Sequence, residues 1–315
     1  MTDNAFAFSH AVLPENGEDS FALRKNADHQ FLCIADGCGG LGSRRYPALD
    51  DHTGAYAASR LATHMACEWS ASQSIPTTNE GVQLLCRTLE QETDRLFRAF
   101  ADEKCRTSGI RITGSMQRCL PTTFCAALTD EQRACFLWAG DSRACVLDAN
   151  GLHQCTADHL KGSPDPFESL YRDTPLSAYL CADTPAKLSA RCVGLSSPCA
   201  VVLATDGAYN ALPTPMEFEM LLLDTLKSAK NQASWKRKLE TAVARIAQDD
   251  ATLAVCMFGA EDFEAFKQAI LPRRETLQKQ FITPVRRKKG DVDFARGRWQ
   301  LYRPNYDWTQ EERHG

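Results

Sequence analysis

One arrangement occurs twice in this chain and limits what it can fold into: an apolar run that stops at Asp-Gly. Phe31-Leu32-Cys33-Ile34-Ala35 ends in Asp36-Gly37, followed by Gly39, Gly40 and Gly42. Ala200-Val201-Val202-Leu203-Ala204-Thr205 ends in Asp206-Gly207. Such runs read as buried strands. A carboxylate on a strand end, followed by backbone free to take almost any φ, makes a good cation site, and two of them can put two carboxylates on one metal cluster. Gly37-Cys38-Gly39-Gly40-Leu41-Gly42 also fits the dinucleotide fingerprint G-x-G-x-x-G. Its context argues against that reading. Asp36 would face the pyrophosphate, Ser43-Arg44-Arg45-Tyr46-Pro47 opens no helix, and Asp50 and Asp51 follow no second strand.

The rest of the pattern is strands in two batches, each with helices. Strands are expected at Ala5–Val12, Ser20–Arg24, Phe31–Ala35, Thr122–Leu128, Arg133–Trp138, Ala144–Leu147, Leu152–Thr156, Lys187–Val193, Ala200–Thr205 and Ala251–Phe258. Helices are expected at Gly54–Ser70, Gly81–Lys104, Pro215–Lys230, Ser234–Gln248 and Glu261–Phe281. In the second of these, Leu85, Leu89, Leu96 and Phe100 form one face. Residues 161–186 are Pro-rich and weakly patterned, and read as an irregular surface flap. Strands that are not separated one by one by helices argue for an α+β fold. Two sheets would face each other with helices outside.

Acidic residues stand at turns and strand ends: Glu18-Asp19, Asp36, Asp141, Asp206 and Asp249-Asp250. Facing sheets would bring them together. An oxygen-rich cluster of this kind suits magnesium or manganese rather than zinc. The 14 cysteines include no C-x-x-C pair, and several lie within strands as small hydrophobes. With no signal peptide and no apolar stretch of membrane-spanning length, they imply a reducing, cytoplasmic setting.

GEDSFAL at 17–23, FLCIADGCGGLG at 31–42, PTTFCAAL at 121–128, AGDSRACVL at 139–147, VVLATDGAYNAL at 201–212 and DDATLAVCMFG at 249–259 occur in this order. The chain thereby resembles the PPM (type-2C) metal-dependent serine/threonine protein phosphatases, from about residue 5 to 260. The resemblance implies a four-layer αββα sandwich, with two mainly antiparallel sheets flanked by helices. It implies two Mn2+ or Mg2+ ions between the sheets and a weaker third position. By motif, Asp36 would bridge the ions and Gly37 would lend a carbonyl. Asp206 and Asp249 would complete one shell, Glu18 and Asp19 would hold the other side, and Asp141 would serve the third position. Asp36, Asp206 and Asp249 are then the catalytic set. A hydroxide between the ions would attack phosphorus in line, with no phosphoenzyme and no cysteine nucleophile. The substrate would be a protein phosphorylated by a serine/threonine kinase.

Four positions depart from the family pattern. Pro14 replaces an Arg that grips phosphate in many members, so Arg44, Arg45 or His10 would have to substitute. Cys38 stands where some members carry a His, Asp250 where an Asn is common, and Asn210 where an Asp often supports the third ion. These departures motivate a second reading, a catalytically weak module that binds phosphoproteins or a regulatory partner. A metal-dependent nuclease is more distant, and no nucleic-acid partner is expected.

The resemblance divides the chain into 1–260 and a C-terminal helix with a basic, aromatic tail, 261–315. Residues 271–315 carry 11 Lys and Arg against 6 Asp and Glu, a net +5, which leaves −9 on the first 270 residues. With Trp299, Tyr302 and Trp308, the tail is expected to dock on the acidic body or on a partner protein, and residues from about Val285 to be dispensable for chemistry.

Overall fold

The computed structural model describes residues 4–105, 117–162 and 174–309. Among them, ten strands form two five-stranded sheets in which every pair is antiparallel. The first sheet has the order β1 (Ala5–His10), β10 (Ala251–Phe258), β9 (Cys199–Ala204), β6 (Arg143–Asp148), β7 (Gly151–Gln154). The second runs β2 (Ser20–Lys25), β3 (Gln30–Ala35), β4 (Phe124–Thr129), β5 (Arg133–Ala139), β8 (Ser189–Gly194). Helices flank both, so the fold is the expected αββα sandwich.

The continuous apolar runs follow from this layering, because each central strand is covered on both faces. Successive side chains alternate between them. Leu32 and Ile34 point between the sheets, with Phe136, Val146, Val201 and Leu203. Phe31 and Cys33 point outward, under α2 (Gly54–Ser70) and α3 (Asn79–Lys104). On the other side, Phe6, Val202 and Leu253 lie under α4 (Pro215–Ser228) and α5 (Gln232–Ala244). Thr53 and Thr78 start α2 and α3 by accepting from Tyr56 N and Gly81 N at 3.0 and 3.1 Å.

Two local expectations are corrected. Glu261–Phe281 is not one helix. Pro272 lacks the N–H that would continue α6 (Phe263–Ile270), and it opens α7 (Pro272–Leu277) instead. Gly39–Gly42, where no helix was expected, closes a single helical turn, α1. Of the expected flap, residues 163–173 lie outside the described residues. Its described remainder is irregular and is pinned by the Leu160–Leu176 and Thr122–Leu180 bridges.

Beyond α7 come α8 (Thr283–Arg287) and α9 (Val292–Tyr306). Of the two docking options, the body is the one the chain adopts. Leu277, Phe281, Ile282, Trp299, Tyr302 and Tyr306 join the core beneath α4. Fully buried Glu219 of α4 meets Arg273 at 2.6 Å and accepts from the Tyr302 hydroxyl at 2.5 Å. No helix among the described residues is long and apolar enough to cross a membrane.

Candidate metal centre

The strand ends that carry Asp36 and Asp206 are held by threonines. Asp36 donates its N–H to Thr123 Oγ1 at 3.1 Å, and its carbonyl accepts from Thr122 Oγ1 and Thr123 N, both at 2.8 Å. Thr123 Oγ1 also lies 2.8 Å from Ser142 Oγ, tying the Asp141 turn to the same point. From the facing sheet, Thr205 donates its hydroxyl to Asp19 Oδ2 at 2.8 Å and receives the Thr252 N–H at 2.8 Å. The glycines let backbones approach: a Cβ on Gly37 would run into the carbonyl of Ala55, and one on Gly207 into that of Asp250.

Adjacent Asp249 and Asp250 have different surroundings. Asp250 accepts from Val12 N at 2.9 Å and Glu18 N at 2.6 Å, clamping the β1–β2 loop. Asp249 is exposed and acts electrostatically on Asp36, Asp206 and Glu18. Glu18 accepts from the Thr53 hydroxyl at the rim.

These acids repel one another. Burial, then Asp19, Asp206, Asp141 and Asp249, push Asp36 well above the usual carboxylate range. Burial raises Asp19 and Asp141 to about 7, with Asp206 adding to both, and raises Asp206 to about 6, with Asp249 adding. Glu18 is raised by burial and by Asp250 and Asp249. Asp19 is 4% exposed, and among the described residues its Oδ1 has no hydrogen-bond partner. A buried oxygen left unpaired among mutually repelling carboxylates is what a divalent cation satisfies. The residues therefore fit the expected group. Among the described residues, no three His, Cys, Asp or Glu side chains form a ready-made cage.

Residues 9–244, about three quarters of the chain, match the family model of Protein phosphatase 2C. The chain belongs to the protein phosphatase 2C family. No curated protein sequence matches it. Solved structures share the fold at low identity. The serine/threonine phosphatase Stp1 from Staphylococcus aureus is 17% identical, with a TM-score of 0.63 over 82% of this chain and 96% of that one. The Mycobacterium tuberculosis serine/threonine phosphatase PstP/Ppp is 20% identical, with a TM-score of 0.58 over 81% and 98%. PppA, a key regulatory component of T6SS in Pseudomonas aeruginosa, is 20% identical, with a TM-score of 0.56 over 81% and 97%.

Against the type-2C pattern, the departures now have places. Arg45 lines a cleft of about 290 Å3 together with Glu18, Asp249 and Tyr56, and donates to the Asp51 carbonyl at 2.7 Å. Arg44 turns instead to Tyr46, 5.7 Å from its ring centroid. His10 ends β1, opposite Ala251. Asn210 donates to Asp206 Oδ2 at 3.1 Å. Cys38 caps α1, and its thiol is pushed well above its usual value by burial and then by Asp36. His159 of the TADH segment accepts the Gly140 N–H at 3.2 Å, a loop-holding role.

Sequence reasoning did not assign Asp250 as a clamp or Thr205 and Thr252 as the support of Asp19. It also did not see the group behind Asp141, where Tyr209 donates to the Asp141 carbonyl at 2.7 Å. Arg143 packs on the Tyr209 ring 4.0 Å from its centroid, and is paired with Asp158 at 2.6 Å. The only sequence signal was the threonine beside each Asp-rich strand end, in TDG and DDAT.

Proposed function

We propose that the chain is a Mn2+- or Mg2+-dependent phosphatase acting on phosphoserine and phosphothreonine in proteins. The reading is carried by the convergence of Asp19, Asp36, Asp141 and Asp206 at the mouth between the sheets, beside Asp249, with the ionisation of the first four suppressed and one buried Asp19 oxygen unpaired among the described residues. Bound there, two divalent cations neutralise the phosphate dianion and bring the pKa of water into a useful range. Asp36 with the Gly37 carbonyl, Asp206, Asp249, Glu18 and Asp19 would hold these ions, and Asp141 with Asp206 would hold a weaker third. Arg45 reaches the phosphate from the cleft wall, taking the part that Pro14 cannot.

The test is hydrolysis of an aryl phosphate and of phosphoserine, phosphothreonine and phosphotyrosine peptides with Mn2+, Mg2+ or chelator. Metal-dependent turnover that favours the first two peptides is expected. Phosphopeptide binding without turnover would give the binding-module reading instead. Arg45→Ala should raise KM about tenfold or more, the scale of a hydrogen bond to a charged group. Arg44→Ala should leave KM unchanged; equal effects of the two would remove Arg45 from the site.

A thiol pushed far above its usual value is a poor nucleophile. Cys38→Ser should therefore keep aryl-phosphate turnover within a few-fold of wild type. Complete loss with the fold and bound metal intact would make the thiol a participant.

A further inference from the structure

The β1–β2 loop carries an apolar tip beside the metal centre. Val12 and Leu13 are 45% and 66% exposed, and among the large apolar side chains exposed in the described residues they are the one pair adjacent in sequence. Apolar residues exposed singly are ordinary. This pair differs because its turn is held in place. Asn16 donates its N–H to the Leu13 carbonyl at 3.1 Å, closing a four-residue turn with Pro14 and Glu15 at its centre. The Pro14 ring fixes its own φ in the negative range, and Glu15 has a φ of 71°. Proline followed by a left-handed residue is a type II turn, whose second central place favours glycine or asparagine. A glutamate there is strained, and such strain persists only where surrounding contacts hold it. Asp250 supplies them by accepting from Val12 N at 2.9 Å and Glu18 N at 2.6 Å, and Arg60 by donating to the Gly17 carbonyl at 2.9 Å. Pro14, which cannot grip phosphate, is thus what builds the turn that displays Leu13.

The tip belongs to the same cleft as the proposed phosphate site. Val12 and Leu13 line it together with Glu18, Asp249 and Arg45. Tyr56 adds an aromatic wall, stacked on His52 with ring centroids 3.9 Å apart and covered by the Arg60 guanidinium, 3.4 Å from the Tyr56 centroid. Arg60 thereby ties this wall to the loop that carries the tip. A cleft of about 290 Å3 is narrow for a peptide, so the neighbours of a phosphorylated residue bound in it lie against its walls. There they meet two exposed apolar side chains and a ring, where burial of an apolar side chain is favourable.

We propose that Val12 and Leu13 dock the apolar side chain that flanks the phosphorylated serine or threonine of a protein substrate, so that the chain selects its sites by that neighbour. This rests on the phosphatase reading and adds a specificity to it. The occupant follows from continuity: the tip shares its cleft with the groups assigned to metal and phosphate, and a protein substrate is what brings an apolar side chain there attached to the phosphate.

The test is kcat/KM of the full chain with Mn2+ on phosphoserine peptides that carry Leu or Ser at each of the two positions on either side of the phosphoserine. At one of these positions the wild type should prefer Leu about 10-fold, the scale of half-burying one leucine. Leu13→Ser should bring that ratio to about twofold or less, through KM for the Leu peptide rather than through kcat. Leu13→Met should restore it. Leu84→Ser, at a 56% exposed leucine on α3, should leave it as in wild type. Equal kcat/KM for Leu and Ser at every position, a ratio that survives Leu13→Ser, or the same loss in Leu84→Ser would overturn the proposal. A wild-type dimer that Leu13→Ser dissociates in sedimentation would assign the tip to a second copy of the chain, and would overturn it too. Turnover of every peptide without preference removes this inference alone. No turnover of any peptide or of an aryl phosphate removes the phosphatase reading, and this inference with it.

Discussion

Asp36→Asn is expected to abolish turnover while raising the melting temperature of the metal-free protein at pH 8. The two effects have one cause. Asp36 sits among Asp19, Asp206, Asp141 and Asp249, and burial and repulsion hold its carboxyl well above the ordinary carboxylate value of 3.8. A carboxyl that binds its proton more tightly folded than unfolded contributes fully below the unfolded pKa. That contribution is lost as pH rises through the folded one. Asp19 and Asp141, raised to about 7, and Asp206, raised to about 6, act in the same direction. The chelated wild type should therefore lose stability as pH rises from about 4 to about 7. Asparagine cannot ionise, so it removes one share of the penalty and relieves its neighbours. Metal works in the opposite sense, since an ion bound only by the native state raises its stability. Mn2+ should raise the melting temperature of the wild type strongly at pH 8 and that of Asp36→Asn weakly. Turnover of the variant should fall by several orders of magnitude. Wild-type turnover insensitive to chelator, or a variant no more stable than wild type in chelator at pH 8, would sink the assignment.

The same crowding explains why this part of the site was legible in the sequence. A strand must end where its residues stop being apolar, and Asp-Gly after a six-residue apolar run marks that end without ambiguity at Asp206. Strand positions were equally visible, because chains covered on both faces leave uninterrupted runs such as Val201–Leu203 and Leu253–Cys256. What remained hidden was made by contacts far apart in the chain. Asp250 looks like a duplicate of Asp249. Only folding brings it to the N–H of Glu18, 232 residues away, and gives it a clamping role. Arg143 reads as the polar end of a turn until Asp158 and the Tyr209 ring arrive against it. How the tail docks was hidden for a related reason. Its basic residues were visible, but their acidic partners Glu217, Glu219 and Asp224 lie on α4, whose sequence is that of an ordinary amphipathic helix. The attraction expected between body and tail is there, but the exposed pairs contribute little. Burial of Glu219 with Arg273 and Tyr302 is what makes the tail structural.

That burial sets the second large effect. A chain ending at Leu271 is expected to lose cooperative unfolding and to accumulate as insoluble or molten protein. The cut removes Leu277, Phe281, Ile282, Trp299, Tyr302 and Tyr306 from the core beneath α4, and each such side chain is worth roughly 1.5–3 kcal/mol when fully buried. It also strips Arg273 and Tyr302 from Glu219. Breaking a buried pair by removing one partner costs about 3–5 kcal/mol. Together these losses match or exceed the roughly 5–15 kcal/mol that hold a typical domain folded. A shorter cut, removing residues from Val285 onward, leaves Arg273 but still takes Trp299, Tyr302 and Tyr306, and is expected to lower the melting temperature by a smaller amount. A pair of point variants separates charge from packing. Arg273→Ala should lower the melting temperature sharply, because buried Glu219 keeps the Tyr302 hydroxyl but loses its counter-charge, and Glu219→Leu added to it should recover part of the loss by removing the carboxylate. Circular dichroism melts of the truncated chains and of both variants decide the matter. A chain ending at Leu271 that unfolds cooperatively near the wild-type temperature, and still hydrolyses an aryl phosphate, would mean that α7 to α9 lie on a core complete without them.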